Sequence, residues 1–102
     1  MEEKARQLAE LLRSLANENR LLILCALMQG AKTVGKIGEY VPKITQSALS
    51  QHLIMLKMAG ILESDKRGQN VTYSIADHRV EEILAVLKKY YCDEQEESEW
   101  EN

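Results

Sequence analysis

Phenylalanine is absent from the 102 residues, proline occurs once (Pro42), glycine five times and cysteine twice, at Cys25 and Cys92. So few helix breakers, beside 45% apolar residues, point to one compact, mostly helical domain with a modest core. Long hydrophobic runs are missing as well. Those present are broken by charge and fall far short of the ~20 residues that span a bilayer, so no membrane partner is expected. The opening "MEEKARQLAE" lacks the basic-then-apolar pattern of a secretory signal, and the expected location is the cytoplasm. A permanent structural disulfide is disfavoured there. Two cysteines without C-x-x-C spacing do not make a zinc module. Nor is there a Ser/His/acid set, a glycine-rich phosphate loop or an arguable carboxylate pair, so an enzyme is the least favoured reading and no cofactor is expected.

The net charge of −3 hides an uneven distribution. Residues 93–102, "DEQEESEWEN", carry six acids and no base; the remaining body holds 13 bases against 10 acids. An acidic total therefore does not exclude a nucleic-acid partner. The block 93–102 reads as an acidic C-terminal tail, solvated like other runs of like charge, and residues 1–92 as the folded domain.

Leu8, Leu11, Leu12 and Leu15 fall at i, i+3, i+4 and i+7, the stripe of an amphipathic helix over Glu2 to Leu15. Asn17 is the expected N-cap of a second helix, in which Leu21, Leu24, Cys25 and Met28 repeat that pattern and Gly30 marks the stop. Thr33 opens a short third helix, "TVGKIGEYV", closed before Pro42. Thr45 caps a fourth, with Ala48, Leu49, Leu53, Leu56 and Met58 expected inward and Gly60 as its stop. "ILESD" and "VTYSI" read as two short strands joined through "KRGQN". Asp77 caps a fifth helix with Val80, Ile83, Leu84, Leu87 and Tyr91 on one face. This order predicts a mainly α fold with a small β-hairpin: a winged helix-turn-helix with helices added at both ends.

A helix that reads DNA needs short polar side chains in its first turns, where base edges are approached. Gln46, Ser47, Ser50 and Gln51 meet that need, with groups that can donate to and accept from base edges. Lys66, Arg67, Gln69 and Asn70 form a basic tip on the hairpin, and Lys57 and Lys43 add cations for phosphates. A polar helix start alone, or a basic turn alone, is ordinary surface. Both in this order within 30 residues favour DNA, although a winged helix can also serve as a protein-interaction module.

"LANENRLLIL", "TQSALSQHLIMLKMAGIL" and "KRGQNVTYSI" together resemble the ArsR/SmtB family of bacterial repressors, over nearly all of residues 5–92. The resemblance implies a homodimer joined mainly by the first and last helices, with the fourth helix of each protomer in a major groove of an inverted-repeat operator. It also implies an inducer that lowers DNA affinity.

Many members of that family sense metals, and neither metal site of the family matches here. "TVGKIGEYV" has no Cys or His. In the last helix Asp77 and Asp93 fall at ligand-like places, but Arg79 and Tyr90 stand where imidazoles are needed, and His78 alone reads as a surface residue. No metal is expected. The cysteines instead resemble the dithiol branch of the family (the BigR, SqrR and HlyU type), which implies a disulfide or longer sulfur bridge between Cys25 and Cys92. The residues themselves leave Cys25 open between core filler and sensor. Burial raises a thiol's pKa and slows it. Cys92, expected at the edge of its helix's apolar stripe, has Lys88 and Lys89 favouring its thiolate, with Asp93 and Glu94 opposing. Structural cysteines with another inducer remain the alternative.

Overall fold

The computed structural model describes residues 1–91. Eight elements follow one another: α1 (Glu2–Leu15), α2 (Glu18–Leu27), β1 (Lys32–Thr33), α3 (Val34–Tyr40), α4 (Gln46–Met58), β2 (Leu62–Arg67), β3 (Asn70–Ile75) and α5 (His78–Tyr91). Side-chain caps set the helix starts. Asn17 Oδ1 accepts from the backbone N–H groups of Asn19 and Arg20 at 3.0 and 3.2 Å. Thr33 Oγ1 accepts from Lys36 N at 3.3 Å and Thr45 Oγ1 from Ala48 N at 3.1 Å. Asp77 Oδ1 accepts from Arg79 N at 3.0 Å at the start of α5. Each satisfies N–H groups that the first helical turn leaves without a partner.

The end of α4 is closed by a Schellman motif. Gly60 N donates to Lys57 O and Ile61 N to Leu56 O, both at 3.0 Å, while Gly60 takes a φ of 79°. Leu56 and Ile61, brought together by that motif, are both 1% exposed. Gly60→Ala has no steric obstacle, since no atom lies within 4 Å of the added Cβ, but it forces a side chain into left-handed backbone. It should cost about 1 kcal/mol, read as a lower Tm with unchanged helical content.

The core is one cluster that draws Ile23, Leu24 and Leu27 from α2, Ile37 from α3, Leu49, Leu53 and Leu56 from α4, and Val80 and Leu84 from α5. Ile61, Leu62, Tyr73 and Ile75 close it from the sheet side. In α2, every residue from Ile23 to Leu27 is buried. This helix runs through the middle of the domain and is not covered on one stripe only, which explains its continuous apolar composition.

Four expectations are refined by the structure. Met58 is 83% exposed, because helical periodicity puts it across the helix from Leu49, Leu53 and Leu56. In α5, Leu87 and Tyr91 are 43% and 79% exposed, so the buried face ends with Val80 and Leu84. The hairpin is longer than expected: Lys66 and Arg67 belong to β2, Asn70 to β3, and the loop is only Gly68-Gln69, with Gly68 at a φ of 62° as a two-residue hairpin requires. Finally, β1 adds a third strand, pairing Lys32 with Tyr73 and Thr33 with Thr72, so the sheet order is β1-β3-β2.

Candidate nucleic-acid interface

The face of α4 opposite its buried Leu49, Leu53 and Leu56 presents Ser47 and Gln51, with Gln46 exposed in the first turn and Ser50 half-buried at the flank. The core holds this helix from below and polar contacts hold it on both sides. On one flank, Lys57 Nζ donates to Ser64 Oγ at 2.6 Å and ties the end of α4 to β2 of the wing. On the other, Arg20 of α2 donates from Nε to His52 Nδ1 at 3.2 Å and from Nη2 to the Met55 sulfur at 3.3 Å. The same guanidinium reaches the Ser14 carbonyl at the end of α1, at 3.2 Å. Burial, and then the Arg20 charge, hold His52 below the ordinary imidazole range.

At the hairpin end Lys66, Arg67 and Gln69 are exposed. Arg67 Nε donates to Asp65 Oδ2 at 3.0 Å, and both side chains face solvent (88% and 64% exposed), so this ion pair is weak and open to competition. Lys43 is exposed just before α4. Exposed polar groups on one helix and cations on an adjoining hairpin are therefore carried side by side, joined by the Lys57–Ser64 hydrogen bond.

Asp77 and Arg79 form a two-point pair, with Arg79 Nε on Oδ1 at 3.0 Å and Nη2 on Oδ2 at 2.8 Å. That hydrogen bonding holds the Asp77 carboxyl below its usual range. Its oxygens are thus occupied by a cation and by the cap of α5. Among the described residues, no group of three or more His, Cys, Asp or Glu side chains could hold a metal ion.

Cys25 is 6% exposed and lies on the wall of a recess of about 360 Å³, shared with Glu18, Leu21 and Leu22. Its expected partner Cys92 and the acidic tail 93–102 lie outside the described residues. Of the positions singled out in the sequence, the structure thus gathers those of α4 and the wing on one unit. The Arg20–His52 contact was missed by sequence reasoning. Its partners are 32 residues apart and no local pattern links them.

A helix-turn-helix with a β-hairpin wing and a polar, solvent-facing second helix is the architecture of winged-helix regulators of transcription. The chain belongs to the ArsR family of bacterial regulatory proteins. The family model of that description matches residues 17–64, from the cap of α2 into β2. The transcriptional activator HlyU of Vibrio cholerae is 36% identical over 92 residues, covering 90% of this chain and 84% of its own length. The biofilm growth-associated repressor of Agrobacterium fabrum is 33% identical over 96 residues, covering 94% and 81%. Reduced HlyU from Vibrio cholerae superposes with a TM-score of 0.84 at 35% identity, over 91% of this chain and 97% of that one. The repressor BigR from Xylella fastidiosa gives 0.84 at 29% identity, over 92% and 95%. These relatives are transcriptional regulators, not enzymes, and no described helix is long and apolar enough to cross a membrane.

Proposed function

We propose that the protein is a homodimeric repressor, acting in the cytoplasm, whose affinity for an inverted-repeat operator is set by the chemistry of Cys25 and Cys92. The observation that carries the DNA half is the exposed Gln46, Ser47 and Gln51 on a helix tied through Lys57 to a wing that ends in Lys66 and Arg67. Ser50, Gln69 and Lys57, the last also as a cation for phosphate, complete the proposed contact set. The dimer half is supported by apolar side chains left uncovered on the first and last helices: Leu8 and Leu12 at 52% and 48%, Val86 at 52% and Tyr90 at 71%. Residues 1–92 form the working domain in this reading.

The thiol half is supported by the placement of Cys25 at a recess that a small sulfur donor can enter. The thiolate of one cysteine takes the outer sulfur of a persulfide, giving a cysteine persulfide and releasing the shortened thiol. The second cysteine thiol then attacks the inner sulfur, closing a disulfide and releasing hydrogen sulfide with both thiol hydrogens accounted for. If instead the second cysteine first takes the outer sulfur of another donor persulfide, releasing a second shortened thiol, the two cysteine persulfides condense to a trisulfide and release hydrogen sulfide, so that one more sulfur is retained in the bridge. A plain disulfide needs Cα atoms about 4.4–6.8 Å apart, and a longer bridge tolerates more. Cys25 is held in the buried α2, so closing the bridge draws the C-terminal end of α5 toward it. That movement pulls on α5 and on the spacing of the two reading helices, which must meet grooves about one helical turn apart.

Two substitutions separate the roles within the DNA surface. Arg67→Ala should weaken binding by a similar factor for all duplexes and flatten the salt dependence by about one phosphate contact. Gln51→Ala should relax base preference, costing about 1–3 kcal/mol on the preferred duplex and little on others. Titrations in which neither change alters affinity would remove α4 and the wing as the DNA-reading surface.

A further inference from the structure

The Arg20 guanidinium touches three helices at once: it springs from α2, grips the Ser14 carbonyl at the end of α1, and reaches His52 and Met55 on α4. We propose that Arg20 is the positioning residue of the reading helix and that the neutral His52 imidazole is its latch, so that acidification loosens α4 and weakens DNA binding. This rests on the DNA-binding role of α4 and concerns how that helix is held.

The geometry fixes the protonation state. Arg20 has no lone pair to offer, so with Nε–H directed at His52 Nδ1 that nitrogen must accept, which leaves the imidazole proton on Nε2 and the ring neutral. Protonation at Nδ1 places a donor against a donor and a cation against a cation. The contact then opens, and the guanidinium keeps only the Ser14 carbonyl and the weak sulfur acceptor of Met55. The charged group that faces His52 is this guanidinium from α2, whose other nitrogens are taken up by the Ser14 carbonyl of α1 and the Met55 thioether of α4. Burial and the Arg20 charge both lower the His52 pKa from its ordinary 6.5. The sign follows. A depressed histidine contributes stability above 6.5 that is lost as pH falls through its folded value, so the latch opens on acidification.

The direction is diagnostic. Protonating histidines adds positive charge, which by itself strengthens attraction to phosphates. A loss of affinity in acid therefore runs against the general electrostatic trend and reports geometry.

The test uses the full chain and a DNA duplex that the parent protein selects from a random pool, with affinities read by anisotropy at constant ionic strength. Between about pH 8 and about pH 5, the span over which histidine changes charge, the parent should weaken on the order of tenfold, the equilibrium factor of one charge-assisted hydrogen bond, with the fall in the acid half of that span. His52→Asn, whose Oδ1 takes the place of Nδ1 without titrating, should match the parent at the higher pH and stay flat to the lower. Arg20→Met should bind weakly and without that pH dependence; if it does not fold, the His52→Asn profile decides alone. His78→Gln, altering the exposed histidine at the start of α5, should keep the parent's pH dependence. A parent whose affinity does not fall in acid, or a His52→Asn variant that falls as the parent does, overturns the latch while leaving DNA binding intact. A parent that selects no duplex overturns the DNA-binding role itself, and the latch with it.

Discussion

Cys25→Ser should bind DNA like the reduced parent and lose nearly all of its response to polysulfide. The treated parent should weaken on the order of tenfold to a hundredfold, the range of ordinary allosteric coupling, while the variant stays within about twofold of its untreated affinity. Cys92→Ser should behave in the same way. A buried hydroxyl in place of the Cys25 thiol carries its own penalty of about 1–2 kcal/mol. Cys25→Ala is therefore the companion variant, since it removes the thiol without introducing a polar group. Anisotropy titrations with and without polysulfide read the outcome directly. A Cys25→Ala protein that still releases DNA as the parent does assigns Cys25 to the core alone, in keeping with its 6% exposure.

Leu56→Ala is the second large effect. Leu56 is 1% exposed, lies in the core cluster and packs at the Schellman turn that directs the chain from α4 into the wing. Truncation leaves a cavity under α4 and should cost about 3 kcal/mol, a drop of roughly 15 °C in Tm for a domain of this size. Met58→Ala, two residues on and 83% exposed, should change stability by less than about 0.5 kcal/mol. Thermal melts of the pair distinguish the two faces of α4. Equal losses would mean that Met58 is covered in the assembled protein.

The contrast between Leu56 and Met58 also shows how far the sequence could be read. Helix starts were legible because Asn17, Thr33, Thr45 and Asp77 act on N–H groups two or three residues away, and the α4 stop was legible because Gly60 alone supplies its left-handed turn. Such signals are local. Strand β1 was not legible: two residues, Lys32 and Thr33, are defined as a strand only by their pairing with Thr72 and Tyr73. The burial of α2 on most of its surface was visible only as an apolar run, since a single stripe of Leu21, Leu24, Cys25 and Met28 leaves Ile23 and Leu27 unassigned. The exposed polar positions Gln46, Ser47 and Gln51 followed from helical periodicity once α4 was placed. What holds α4 at its angle did not, because Arg20 and His52 meet only in the folded chain.

The central claim, that sulfur chemistry at Cys25 and Cys92 governs the DNA surface of α4 and the wing, is tested most directly on the parent protein itself. Reduced and polysulfide-treated samples are divided, one half weighed by intact mass spectrometry and the other titrated with the selected duplex. The predicted result is a protomer that has lost two hydrogens, with or without retained sulfur, and that binds the duplex far more weakly in the same sample. A mass change that leaves affinity untouched, or a loss of affinity at unchanged mass, contradicts it.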